Sequence, residues 1–215
     1  MFSVELIQAI SDWQRGGNTT QKAQRGKLLK KLCGSLPDEF KTVPKTCYRR
    51  IALDKKAVWA IGTKYYLGET ISSWTTSIDV CKDFKGGVPP RGWQGIIFQA
   101  SNLNRKDVIV NLEALFNNYI FIKFAKDNVK DISGFEFGMG KYWNCQREVV
   151  IELRTIPLGS IHSLGGYSNI FNCPYWLSTK SAVERVIEKL KHYGALLTAI
   201  KEAQAASKSR ENTNS

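Results

Sequence analysis

The sequence predicts an α+β domain, and two observations carry that expectation. Apolar residues recur near helical spacing at both ends of the chain, whereas the middle, from Thr46 onward, is a succession of short β-rich runs separated by Gly, Pro, Asn and Asp. With 215 residues, 43% of them hydrophobic, the chain can bury one sizeable core.

The elements follow in order. Val4, Ile7, Ala9, Ile10 and Trp13 predict a helix over 3–13, which the GGN at 16–18 breaks before a second, basic helix around 20–33. LCGSLPDEF closes that region. CYRRIAL, AVWAIG, TISSWTTSI, QGIIFQA, YIFIKFA and REVVIEL then read as the strands of a core sheet. VIVNLEALF, ending at Phe116, fits a short helix or a strand plus turn equally. A last helix is expected from its N-cap near Ser178 or Thr179, followed by the polar SKSRENTNS. The expected organisation is a helical segment over 1–44 packed on a core over 45–175, a C-terminal helix over 176–206 and a flexible tail over 207–215.

Composition narrows the setting. No stretch reaches the roughly 18 consecutive apolar residues that span a bilayer, and the N-terminus lacks a signal leader, so the mature chain is expected to begin at Met1, with no membrane partner. Five cysteines, widely spaced and without a C-x-x-C pair, disfavour a disulfide framework and a zinc site. A reducing cytoplasm is the expected location. Lys and Arg number 31 against 19 Asp and Glu, and the resulting +12 attracts polyanions or an acidic protein surface. Lys22, Arg25, Lys27, Lys30 and Lys31 crowd into one segment, where they could touch phosphates or simply form a solvated helix face.

Three short motifs carry the chemistry. Tyr48-Arg49 lies in the first β-like run, Thr75-Thr76-Ser77 in another, and Gln146-x-Glu148 opens a third. In a strand, alternate residues share a face, so Gln146 and Glu148 would project together. Each motif has a plain alternative: a solvated strand end for Gln-x-Glu, a strand-edge arginine paired with a surface acid for Arg49, and β-propensity for the hydroxyl-rich run. Only His162 and His192 could serve a Ser-His or Cys-His nucleophile, and neither has a suggestive context. The Gly-rich loops lack the terminal lysine of a phosphate-binding P-loop.

Taken in order, CYRRIAL, SSWTTSIDVCKDF and GKYWNCQREVVIEL resemble the three signatures of the mono-ADP-ribosyltransferases of the Arg-Ser-Glu class, which include bacterial toxins and phage-encoded enzymes. The resemblance covers roughly residues 45–165. Thr75 stands where the first serine is usual, and Arg50 where glycine commonly follows the arginine. It implies two roughly perpendicular β-sheets around an NAD cleft within the core over 45–175, and transfer of ADP-ribose from NAD, the co-substrate, to a macromolecule without a metal. Glu148 would stabilise the oxocarbenium-like charge that develops on the ribose. Arg49 would grip the pyrophosphate, with Thr75, Thr76 and Ser77 near the nicotinamide ribose, Phe84 on the nicotinamide ring and Arg91 in a phosphate-nicotinamide loop. Gln146, Tyr142 and Trp143 would meet the acceptor, behind a glycine-rich loop expected to be mobile. The +12 charge and these aromatics favour DNA or RNA over a protein side chain, in a bacterial or phage-infected cell or as a delivered effector. A non-catalytic basic nucleic-acid-binding module is the other expectation, resting on the helix around 20–33.

Overall fold

The computed structural model describes residues 2–54, 64–87, 89–90, 93–143, 145–157 and 160–167. The AVWAIG run at 57–62, Arg91 and the C-terminal helix expected over 176–206 lie outside them. The fold is α+β, with a six-stranded sheet and a separate two-stranded one.

Both N-terminal helices form where capping signals place them. Helix α1 (Val4–Arg15) starts where the Ser3 hydroxyl accepts the Leu6 amide, and its buried stripe is Leu6, Ile7, Ala9, Ile10 and Trp13. Helix α2 (Thr19–Cys33) opens with a reciprocal capping box between Asn18 and Gln21. Only Gly26, Leu29 and Cys33 of α2 are buried, so Lys27, Lys30 and Lys31 stand in solvent. Gly26 allows a close approach to the sheet, because a Cβ there would lie 3.1 Å from the Ile71 side chain and from the Trp13 ring.

The large sheet comprises β1 (Cys47–Asp54), β3 (Ile71–Thr75), β4 (Trp93–Ala100), β5 (Val108–Asn111), β6 (Glu148–Glu152) and β8 (Ile161–Tyr167). Its order is β5-β6-β3-β1-β4-β8, with every neighbouring pair antiparallel. Strands β2 (Lys64–Tyr66) and β7 (Thr155–Pro157) make the small sheet. Alternation splits the large sheet's side chains between two cores: Val110 and Val150 face α1 and α2, whereas Trp74, Phe98, Val149 and Ile151 pack with Ile156 of β7. Tyr65 of β2 stacks on Phe98 with ring centroids 5.3 Å apart.

Three local expectations change. YIFIKFA is not a strand: it is helix α5 (Tyr119–Asp127), preceded by helix α4 (Leu112–Phe116). The Asn118 side chain caps α5 by accepting the Phe121 amide, and Phe121 and Ala125, one helical turn apart, are the buried pair; an unbroken apolar run fits either period and the cap decides. VIVNLEALF is both of its alternatives in turn, strand β5 and then α4, with the Asn111 side chain accepting the Ala114 amide at the join. The strand carrying Glu148 begins at that residue, since Arg147 has φ 43, so Gln146 precedes the strand and strand alternation does not reach it.

Candidate active site

The sheet order brings the three motifs side by side. Strands β6, β3 and β1 are consecutive neighbours, and the register sets Thr75 opposite both Glu148 and Tyr48. Glu148, Thr75 and, diagonally, Ser73 therefore share the face that lies beneath α1.

Glu148 is the most constrained polar group of this face, at 4% exposure. Its Oε1 accepts from the Trp13 indole Nε1–H at 2.9 Å and from the Ser73 hydroxyl at 2.5 Å, and its Oε2 accepts from the Gln14 amide at 2.9 Å. All three donors are neutral, and among the described residues no cation is within salt-bridge reach of the carboxylate. Ser73 itself is exposed and Gln14 half-buried, so the carboxylate is approached through those two side chains rather than through Trp13. The Gln14 Oε1 is buried without a hydrogen-bond partner.

The arginines have different tasks. Strand β1 alternates, placing Arg49 opposite Phe98 and Arg50 opposite Ile97, so it is Arg50 that shares the sheet face of Thr75 and Glu148. Yet β1 and β3 pair only at Tyr48↔Thr75, and the Arg49 guanidinium reaches across to the Ser73 carbonyl at 3.3 Å and to Glu69 Oε2 at 3.1 Å. Burial draws the Arg49 pKa down, opposed by Glu69, and its Nε has no partner. Burial likewise works to raise the Glu69 pKa, but Arg49 and Lys22 outweigh it and the net shift is downward. Arg50 donates to the carbonyls of Lys82, Phe84 and Gly87, tying down the end of the short helix α3 (Ile78–Asp83).

The hydroxyl residues diverge as well. Thr75 donates to the Gln146 carbonyl at 2.7 Å and Thr76 to the Glu113 carboxylate at 2.6 Å, while Ser77 caps α3 by accepting the Val80 amide. Phe84 follows α3 and is half-exposed. Thr76, Asn111 and Glu113 line a cavity of about 490 Å³ that does not include Glu148.

Of the residues expected to meet an acceptor, Trp143 stacks on Phe116 with centroids 4.9 Å apart and interplanar angle 19°. Tyr142 closes the short helix α6 (Met139–Tyr142), with the Lys141 ammonium 5.3 Å from its ring centroid. The preceding glycines serve close packing: a Cβ on Gly138 would fall 2.2 Å from the Ser11 carbonyl oxygen of α1, and the Met139 amide donates to the Ser11 hydroxyl. Buried thiols offer no alternative nucleophile, since desolvation pushes Cys33 and Cys47 up to about 12 and Cys81 to about 11.

Sequence reasoning missed Ser73, Trp13, Gln14 and Glu69. Ser73 had a signal, lying one strand period before Thr75 and so on its face. Trp13 and Gln14 had none, because nothing local says where an amphipathic helix will lie on a sheet. Comparison with protein-family models, with curated proteins and with solved structures returns no match.

Proposed function

We propose that this protein is an NAD-dependent mono-ADP-ribosyltransferase whose Glu148 stabilises the cationic ribose as the nicotinamide bond breaks. One observation carries the reading: a buried carboxylate that, among the described residues, is held by neutral donors with no cation in salt-bridge reach. A buried carboxylate without a cationic partner is costly to keep charged, and a developing oxocarbenium supplies the missing positive charge in the transition state alone. Ser73 orients the carboxylate, and a ribose hydroxyl takes the place of the Gln14 amide on Oε2. Arg49, next to Ser73 with a spare Nε, is the pyrophosphate candidate. This reading requires an NAD cleft on the α1 face of the large sheet, opening at Ser73, because the small sheet packs against the opposite face. Gln146 and Tyr142 meet the acceptor, for which a DNA or RNA base is preferred to a protein side chain; Trp143, stacked on Phe116, supports that wall.

Incubation with NAD labelled in the adenylate, together with separate pools of DNA, RNA and cell protein, tests the proposal. Label is expected to pass to a nucleic-acid pool with release of nicotinamide. Absence of both transfer and nicotinamide release in every pool would sink it.

A second reading, a non-catalytic basic nucleic-acid-binding module, is favoured by the cover that Trp13 and Gln14 place over Glu148. In that case Glu148 is a buried tie between α1 and the sheet. Such a module binds nucleic acid without NAD and never consumes it.

A further inference from the structure

At the opposite end of β6 from Glu148, the chain gathers cations from three separate elements. A cavity of about 630 Å³ opens between the C-terminal end of α2, the short 3-10 turn at Asp38–Lys41 and the loop leading into β5. Lys30, Lys41, Arg105 and Lys106 line it, together with Gly34 and Asn104, and no carboxylate is among its lining residues. The cations differ in how far they are already neutralised. Lys30 pairs with Glu152 at 2.6 Å and Arg105 with Asp38, whereas Lys41 donates to the Gly34 carbonyl at 2.7 Å and Lys106 has no ion partner among the described residues. Lys41 also offsets the negative end of the α2 dipole, which would otherwise repel an anion here.

We infer that this groove binds the phosphodiester backbone of a nucleic acid. The apolar lining residues Val108 and Ile109 are 4% and 6% exposed, so the groove offers a partner charges and an amide but no apolar anchor. Protein partners draw most of their affinity from such anchors, whereas a phosphate chain needs only spaced cations. None of the large hydrophobic residues exposed among the described residues lines the groove, which therefore offers a lipid surface no apolar insertion of its own there. Lys30 is joined through Glu152 to the far end of the strand that begins at Glu148, which sets groove and carboxylate roughly 14 Å apart along β6, the length of about four base pairs. A strand held in the groove thus passes within reach of the proposed active site. The groove itself rests on its own cations and stands whether or not Glu148 is catalytic.

The test is fluorescence anisotropy of the full chain with a labelled DNA duplex of about 20 base pairs and its RNA counterpart, across a salt series. Lys41→Gln combined with Lys106→Gln is expected to weaken binding about tenfold or more at low salt and to reduce the slope of log K against log salt by about 2. Lys123→Gln with Lys126→Gln, exposed on α5 and the same loss of charge, is expected to do much less. Lys106→Glu alone, at an unpaired exposed residue, is expected to lower the affinity with an unchanged thermal unfolding curve, so a folding defect at Lys41 does not decide the outcome. Equal losses in the α5 control would overturn the groove in favour of bulk charge. So would no binding to either nucleic acid, including the case in which the protein binds only phosphatidylserine vesicles. Duplex binding is read in the absence of NAD, so failure of the groove and failure of the transferase reading give different results.

Discussion

Two carboxylates at the ends of β3 are held in opposite ways. Glu148, opposite Thr75, is buried and accepts hydrogen bonds from an indole, an amide and a hydroxyl, whereas Glu69, just before the other end of the strand, is a third exposed and lies between two cations, Lys22 at 3.2 Å and Arg49 at 3.1 Å. The positive charges already answer the one at Glu69, which contributes to stability and has little left for a ligand. Among the described residues neutral donors alone fix the other in place, an arrangement that, on the proposed function, serves a substrate developing positive charge.

The sharpest way to break this comparison is to remove the charge of Glu148 and keep its shape. Glu148→Gln is well suited, because the introduced amide can keep its oxygen on Trp13 and Ser73 and turn its NH₂ toward Gln14, whose buried, unpartnered Oε1 accepts it after an amide flip. Stability is expected to change by less than about 1 kcal/mol while NAD turnover falls on the order of a hundredfold or more, with NAD affinity little altered. Glu148→Ala, in contrast, strands three donors and is expected to cost about 3 kcal/mol in urea unfolding. If turnover by the Gln variant equals wild type, Glu148 belongs with Glu69 as a structural group.

The next effect separates two serines. Ser73→Ala removes the hydroxyl that orients Glu148 and is expected to lower turnover about tenfold, with little change in unfolding. Ser77→Ala removes a helix cap, so a loss of about 1 kcal/mol of stability is expected with turnover nearly intact. The reverse pattern, read from the same nicotinamide-release and urea experiments, would return the ribose contact to Ser77.

How far the sequence foretold this site depends on which link is asked. The strands at Cys47–Asp54, Ile71–Thr75 and Glu148–Glu152 were legible because each pairs β-branched or aromatic residues with turn signals at its ends, and their order along the chain already named the motifs. What was not legible is pairing. That Ser73 rather than Thr75 or Ser77 touches Glu148 follows from the β3–β6 register, and that Arg49 is paired with an acid at the sheet's end follows from where β1 and β3 part, neither of which a single sequence encodes locally. YIFIKFA misled because an unbroken apolar run carries no period, and the informative residue was the polar Asn118 before it. The glycines of GFEFGMG read as mobility, yet Gly138 is needed for contact with Ser11, a long-range reason that composition does not show.

The smallest expected effect lies at Glu69, and it comes with a sign. Arg49 and Lys22 hold its folded pKa below the unfolded value of about 4.3, against the opposing pull of burial. A depressed carboxylate pKa contributes stability that is fully present above the unfolded value and is lost as pH falls through the folded one. Wild type is therefore expected to exceed Glu69→Gln by a constant margin near neutral pH, about 1 kcal/mol for a partly exposed pair, and the two unfolding curves should converge as the medium is acidified past that range. Glu148→Gln leaves Glu69, Arg49 and Lys22 in place and is expected to keep this loss of stability in acid. Urea midpoints for the three proteins measured in parallel from neutral pH downward decide it. A margin between wild type and Glu69→Gln that does not shrink in acid would mean that the contribution of Glu69 is one of packing and hydrogen bonding, and the contrast between a carboxylate answered by cations and one held by neutral donors would lose its electrostatic basis.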